Sequence, residues 1–463
     1  MPLALFCAAK LQLFLIPQEK NTIFFLFFKK PSLFAAKIIS LLFSQRFNNL
    51  YNSISQSFNT LIPLKTIKDI YKIGIGPSSS HTMGPQKAAQ LFNDRYPNAD
   101  AFEVTLYGSL AATGKGHMTD WAILNTLQAP AEILWKPDVF LPFHPNGMLF
   151  KALDSQKEVL GEWTVFSIGG GELAEEGHRN ESVDVYPMDK MTDILDWCEH
   201  SGRTYWEYVY EYENQKEVED YLMEVWQVMK AAVERGLQQE GVLPGPLHLA
   251  RKAAMYHVKA KGYSHTLQSR GLVYSYALAV SEENASGGRI VTAPTCGSCG
   301  VMPAVLYHLS KSYDFTDIRI VRALATAGLV GDIVRTNASI SGAEVGCQGE
   351  VGVACAMAAA AANQLFGGSP AQIEYAAEMA LEHHLGMTCD PVCGLVQIPC
   401  IERNAYAAAR ALDANIYSTF TDGHHRVSFD KVVETMKETG KDLPSLYKET
   451  SQGGLARDFQ QMK

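Results

Sequence analysis

Apolar residues in this chain recur mainly at helical spacing, and most of the stretches that do so lie in the second half. Residues 218–236 place valine, leucine and methionine three and four apart and stop at Gly236, which predicts an amphipathic helix. The same periodicity predicts helices over 247–261, 271–281, 303–309, 319–334 and 373–385. Residues 351–365 are apolar on every side but consist largely of alanine, with little leucine or isoleucine, so they predict a buried helix that neighbours approach closely rather than a membrane span. Period-two alternation belongs to the first half, at 102–108 and at 163–168, the latter running into Gly169-Gly170-Gly171. A charged, aromatic helical stretch over 188–213, in which Cys198 packs, marks the joint or an element beside it. The pattern therefore predicts a first α/β domain over 63–215 and a helical second domain over 216–463.

Composition changes this picture mainly at the start. Residues 1–62 are rich in Phe, Leu and Ser and carry Lys10, Lys20, Lys29, Lys30, Lys37 and Arg46 against the single acid Glu19. This basic, acid-poor extension reads as unstructured or targeting-like, and its apolar run over 23–28 is too short to span a bilayer. The remainder is globular: 463 residues, 47% hydrophobic, 19% charged, with a net charge of −9 that argues against nucleic acid as a partner. Nine dispersed cysteines fit a reducing compartment, with free thiols or metal ligands, better than a disulfide framework.

Three of those cysteines stand in polar, glycine- or proline-rich settings: Cys347 in Gly346-Cys347-Gln348-Gly349-Glu350, Cys389 in Thr388-Cys389-Asp390-Pro391, and Cys400 in Pro399-Cys400-Ile401-Glu402-Arg403-Asn404. Their separations fit neither a zinc ribbon nor a ferredoxin run, so any site they form is assembled from separate elements. Cys347 precedes the alanine-rich helix, and Cys400 falls in the first turn of another behind Pro399. A helix N-terminus carries about half a positive charge and favours thiolate, the form that ligates metal. Three buried structural cysteines are the competing reading.

The first domain offers a second constellation. Gly76-Pro77-Ser78-Ser79-Ser80-His81-Thr82 runs into a helix at Pro85 and makes a cradle suited to a substrate carboxylate, although for the loop taken alone a plain serine N-cap is the commoner account. Gly114-Lys115-Gly116-His117 lacks a P-loop frame, and Phe143-His144-Pro145-Asn146-Gly147 is a tight turn. Three histidines in glycine-flanked loops of one small domain point to a site. Elsewhere, Cys296 and Cys299 form a CxxC without the βαβ frame of a thioredoxin-like protein, and His424-His425 reads as a surface turn.

Taken in order from about residue 67 to about 456, these motifs, with Thr292-Ala293-Pro294-Thr295, resemble the bacterial iron–sulfur L-serine dehydratases in their single-chain form. The resemblance implies an α+β N-terminal domain followed by an all-α catalytic domain, and a cytoplasmic lyase of amino-acid catabolism feeding gluconeogenesis. It implies a [4Fe–4S] cluster held by Cys347, Cys389 and Cys400, one iron being left open to act on the L-serine hydroxyl. It implies His117 as the base, and Ser78, Ser79, Ser80, His81, His144 and Asn146 as substrate-binding residues. A homodimer without nucleic-acid or membrane partners completes the expectation. Two departures stand out: the sequence ends Phe459-Gln460-Gln461-Met462-Lys463 without the terminal cysteine frequent in the family, so no cap for the open iron is expected, and Cys296 replaces a frequent asparagine. The competing activities are a thiol oxidoreductase through Cys296 and Cys299 and a non-catalytic iron–sulfur sensor. A pyridoxal-phosphate enzyme would need a lysine and phosphate loop that the sequence does not offer.

Overall fold

The computed structural model describes residues 64–176 and 185–461, together with two short strands near the start, β1 (Gln12–Phe14) and β2 (Phe25–Phe27). The chain divides into two units, Met1–Leu61 and Ile62–Lys463. In the first, β1 and β2 pair antiparallel with Gln12 opposite Phe27. The extension predicted over 1–62 otherwise lies outside the described residues.

The second unit opens with Thr66, whose hydroxyl caps a 3-10 turn at Ile67–Asp69, and β3 (Ile73–Ile75). The serine and histidine loop follows as a wide π-type turn at Ser79–Met83 and runs directly into α1 (Gly84–Arg95), with Pro85 in its first turn. Then come β4 (Ala101–Tyr107), α2 (Gly108–Thr113), α3 (Thr119–Leu124), β5 (Ala131–Lys136), β6 (Gly147–Leu153), β7 (Val159–Ser167) and β8 (Leu173–Ala174). They form one sheet in the order β5-β4-β6-β7-β8, in which only β4 and β5 are parallel. The two short helices α2 and α3 make that crossover, and the turn between them carries Gly114 to Met118. The alternation read from 102–108 has its cause here. Phe102, Val104 and Leu106 point inward, and Phe92 of α1 packs on Phe102 and Phe150 with ring centroids 5.9 and 5.4 Å away.

The rest is helical: α4 (Met191–Ser201), α5 (Tyr205–Tyr212), α6 (Gln215–Gln238), α7 (Ala253–Lys261), α8 (His265–Ala285), then the short β9 (Arg289–Val291). After it come α9 (Val301–Tyr313), α10 (Asp317–Asn337), α11 (Gly342–Val345), α12 (Val351–Leu365), α13 (Pro370–Glu382), α14 (Cys400–Thr419), α15 (Phe429–Asp442) and α16 (Gly454–Gln461). The α+β region followed by a helical region is the predicted order. Helix α12 is the buried alanine helix expected over 351–365, and α10, α13 and α14 pack around it. Its small side chains are what let them approach: a Cβ on Gly352 would stand 2.9 Å from that of His384. Buried side chains of 64–71 and 186–209 join this helical core rather than that of the sheet.

One predicted helix is shorter than its pattern. Over 247–261 only α7 forms, because Pro244 and Pro246 precede a closed turn in which Leu243 N donates to Leu249 O and Arg251 N to Gly241 O, both at 2.8 Å. The Glu282 carboxylate then accepts the Lys252 N–H at 2.6 Å and starts the helix there.

Two pairings place the functional loops. Strand β3 runs antiparallel to β9, with Gly74 opposite Ile290, which holds the serine and histidine loop against the helical half. Cys389 pairs with Lys448: Cys389 N donates to Tyr447 O at 2.8 Å and Glu449 N to Cys389 O at 2.7 Å. The segment between α15 and α16 thereby lies alongside the cysteine loop.

Candidate active site

The serine and histidine loop is a cap and a buried cluster at once. Ser78 Oγ accepts the His81 N–H at 3.0 Å, and Ser78, Ser79, Ser80 and His81 are all buried. The turn between α2 and α3 is tied to it by a reciprocal pair of hydroxyls. Thr82 Oγ1 donates to the His117 carbonyl at 2.6 Å, and Thr119 Oγ1 donates to the His81 carbonyl at 2.5 Å. Two loops with no sequence relation are thus locked so that the His81 and His117 rings meet edge to face, centroids 4.6 Å apart.

Glu449 completes this corner. Its Oε1 lies 3.3 Å from His81 Nδ1, which also faces Ser80 Oγ at 2.8 Å, and the Glu449 carbonyl accepts the Ser109 hydroxyl at 2.8 Å. That hydroxyl has one proton, already given, so the 3.2 Å contact between Ser109 Oγ and His81 Nε2 is an Nε2–H donating to Ser109. Burial pushes His81 down to about 3, and burial with His81 as neighbour pushes His117 well below the ordinary histidine range. Both rings are neutral at pH 7. Burial, and then Glu350, push the Glu449 carboxyl well above the usual range. Ring and carboxylate atoms of His81, His117 and Glu449 lie within 4.8 Å of one another. That spacing could seat a cation, but both His81 nitrogens are already engaged by serine hydroxyls.

The cysteines converge from three elements. Cys347 opens a 3-10 turn ahead of α12, Cys389 sits in the loop after α13, and Cys400 is the first residue of α14. Each thiol lies within electrostatic reach of the other two, and the Arg403 guanidinium is within reach of all three. The helix-start argument for easy thiolates does not hold. Burial pushes Cys347 up to about 11 despite Arg403, and raises Cys389 and Cys400 as well. A helix dipole is worth a few tenths to about 2 kcal/mol, less than desolvation of a buried thiolate. Three neighbouring buried thiols beside one arginine are a donor set that a metal could take up as thiolates. Arg403 is held by its own donation to Thr388 O at 2.6 Å and by Asp390 at 3.5 Å. Glu350 closes the pocket, its carboxylate 3.9 Å from Cys389 Sγ and accepting from Thr295 Oγ1 at 2.8 Å.

Several buried polar atoms of these loops go unpartnered. Among the described residues, His117 Nδ1, His144 Nε2, Asn146 Oδ1, Ser167 Oγ, Ser341 Oγ and Glu449 Oε2 make no hydrogen bond. Buried polar groups are ordinarily satisfied, so the open atoms of His117 and Glu449 beside His81 leave hydrogen-bonding capacity for a polar ligand. The chain links them: Asn146 Nδ2 donates to Ser167 O at 3.2 Å, Asn146 N to His144 Nδ1 at 3.1 Å, and Ser341 adjoins Gly342, where a Cβ would stand 3.2 Å from Cys389 Sγ. His144 Nε2 is 3.5 Å from Glu344 Oε1, and His144 is near enough to His81 to disfavour its charge.

Residues 66–131 match the family model for the serine dehydratase beta chain, and residues 122–456 match that for the serine dehydratase alpha chain. The chain belongs to the serine dehydratase family. Its serine dehydratase relatives include an L-serine dehydratase of Haemophilus influenzae, 43% identical, and one of Escherichia coli, 44% identical; each alignment covers 84% of this chain and 98% of the relative. An L-serine dehydratase of Streptomyces coelicolor is 41% identical over the same shares.

Several residues of this serine dehydratase site had no role in the sequence reading. Glu350 and Arg403 stood inside quoted motifs without a function, Ser341 lies in a polar loop ahead of Cys347 to which no role was given, and Glu449 carries no sequence signal. Only the short-range signature of Glu350, a carboxylate three residues after Cys347, could have been noticed. Cys296 and Cys299 are free and buried, with both thiols raised by burial and Cys296 Sγ 3.4 Å from Met83 Sδ, a setting that makes no reactive thiolate. Of the paired histidines, only His424 is a surface residue. His425 is largely buried, with its Nε2 3.0 Å from Glu374 Oε2.

Proposed function

We propose that this protein is an L-serine ammonia-lyase that eliminates water from L-serine and releases pyruvate and ammonia. The observation carrying this reading is the buried corner of His81, His117 and Glu449, in which His117 Nδ1 and Glu449 Oε2 have no partner. Cys347, Cys389 and Cys400 would hold a [4Fe–4S] cluster, which when bound supplies a Lewis-acidic iron without a protein ligand to the serine hydroxyl.

The chain's own residues do the rest. The buried turn Ser78-Ser79-Ser80-His81 would hold the substrate carboxylate, with His144 and Asn146 supplying further polar contacts. His117, neutral and with Nδ1 free, takes the weakly acidic Cα proton at that atom. Loss of this proton and of the β-hydroxyl leaves aminoacrylate, which tautomerises and hydrolyses. Burial of both loops excludes bulk water, so the proton is not exchanged away during the step.

The cytoplasm suits this chemistry, since the eight described cysteines are all free. No helix among the described residues is long and apolar enough to cross a membrane. A homodimer is supported by an exposed apolar cleft on α7 and α8, lined by Met255, Tyr256, Tyr263, Leu267 and Tyr274, the last stacked on Tyr406 at 5.9 Å. Light scattering at a mass near that of one chain would remove the dimer.

The test of the activity is anaerobic purification followed by iron and sulfide analysis and a serine-dependent pyruvate assay. Visible cluster absorption lost in air together with pyruvate formation is the expected result. Full activity in an iron-free preparation overturns the reading.

A further inference from the structure

Glu449 has a side chain and a backbone engaged in separate tasks. The backbone ties the molecule together: its N–H donates to Cys389 O at 2.7 Å and its carbonyl accepts Ser109 Oγ at 2.8 Å. One residue is thus bonded to the cysteine loop on one side and to the sheet domain on the other. It does so in the left-handed conformation, φ 57°, which a non-glycine residue seldom adopts. None of these bonds involves the carboxylate.

The carboxylate reaches somewhere else. Oε1 stands 3.3 Å from His81 Nδ1, and Oε2 has no hydrogen-bond partner although it is buried. His81 donates from Nε2 to Ser109, so its Nδ1 presents a lone pair to Ser80 Oγ and to Glu449, where only a carboxyl O–H or an amide N–H at position 449 could bond it; its ring meets that of His117 at 66°. A fully buried carboxyl group with one oxygen beside a histidine and the other without a hydrogen-bond partner is not explained by packing.

We propose that Glu449 is a positioning residue for the elimination: through His81 it fixes the plane of the His117 ring, and so the direction in which His117 Nδ1 meets the substrate Cα–H. His117 Nδ1 has no partner of its own, so contacts with its neighbours set its orientation. The His81 edge is one of those neighbours. A base misdirected by about 1 Å loses on the order of 100-fold in rate, so the geometry is worth a dedicated residue. This inference rests on the proposed elimination chemistry and on His117 as its base.

Because the backbone bonds survive substitution, Glu449→Gln and Glu449→Ala should both fold and retain iron. With iron per chain and melting temperature matched to the parent, Glu449→Ala is expected to lose about 100-fold in kcat with KM changed far less, and Glu449→Gln, which keeps the reach to His81 Nδ1, to lose about tenfold. In iron-free protein with 15N-labelled histidine, the ring signal missing from His81→Asn identifies His81; that signal should move in Glu449→Ala and stay near its parent position in Glu449→Gln. Turnover of Glu449→Ala within about threefold of the parent at equal iron overturns the proposal. So does a loss that merely follows lost iron or lost fold, or an unmoved His81 signal. The ring signal needs no turnover, so it separates failure of the positioning role from failure of the proposed reaction.

Discussion

The Ser109 hydroxyl donates to the carbonyl of Glu449, 340 residues further along the chain, at 2.8 Å. Ser109 lies in the first turn of α2, and Glu449 adjoins the cysteine loop through Cys389, so this bond joins the two candidate corners of the site. Four consequences of the arrangement can be measured.

Cys389 differs from Cys355 in its company. Cys389 lies among Cys347, Cys400 and Glu350, whereas Cys355 is enclosed in α12 and donates to Ala407 O at 3.2 Å. Cys389→Ser is expected to abolish bound iron and turnover. Cys355→Ser should keep the iron of the parent, as read by metal analysis. Equal iron in the two variants would contradict the assignment of the ligands.

His117 is the proposed base. His117→Ala should retain full iron and the visible spectrum while kcat falls by at least about 100-fold, the usual scale of a lost general base. A near-parental rate with the cluster in place removes His117 from that role.

The turn bearing His117 presses on the cysteine loop. A Cβ on Gly116 would stand 2.4 Å from the Gly394 carbonyl oxygen and 2.7 Å from its carbon, both backbone atoms that cannot rotate away. Gly116→Ala should cost about 1–3 kcal/mol, seen as a lower urea midpoint, and depress turnover because the two loops separate. An unaltered midpoint would show that this contact is slack.

Alkaline pH should loosen the loop between α14 and α15. His425 is raised to about 9, first by its bond to Glu374 and against burial; Glu378 also faces it, and the Tyr375 ring stacks on it with centroids 4.1 Å apart. A folded value above the ordinary 6.5 means that this contribution is fully present below pH 6.5 and disappears as pH rises through 9. Burial pushes Glu378 up to about 7, which adds the same sign between about 4.5 and 7. Urea midpoints should fall between pH 6.5 and 9.5 in the parent and fall less in His425→Gln. Parallel curves for the two would refute the linkage.

Much of the fold was legible because local periodicity reports burial directly. The alanine helix α12 appeared with its observed limits because a continuous small-residue run can be satisfied only by close helix neighbours. The strand β4 was legible from alternation alone. Helix α7 was overestimated because its apolar spacing extends through 247–252, whereas a turn closed by backbone bonds at Leu243 and Arg251 claims those residues. The thiol argument failed for a related reason, since a helix start is visible in sequence but the depth of burial around it is not.

The sequence alone determined which residues carry reactive groups and which short loops present them: serines and a histidine at a helix entrance, a histidine between glycines, three cysteines in separate polar turns. Tertiary structure decided which of those loops face one another, and which silent residues join them. Glu449, Ser341 and Arg403 gain their meaning from neighbours tens to hundreds of positions away, because hydrogen bonds and charges act over a few ångströms of space and are indifferent to distance along the chain.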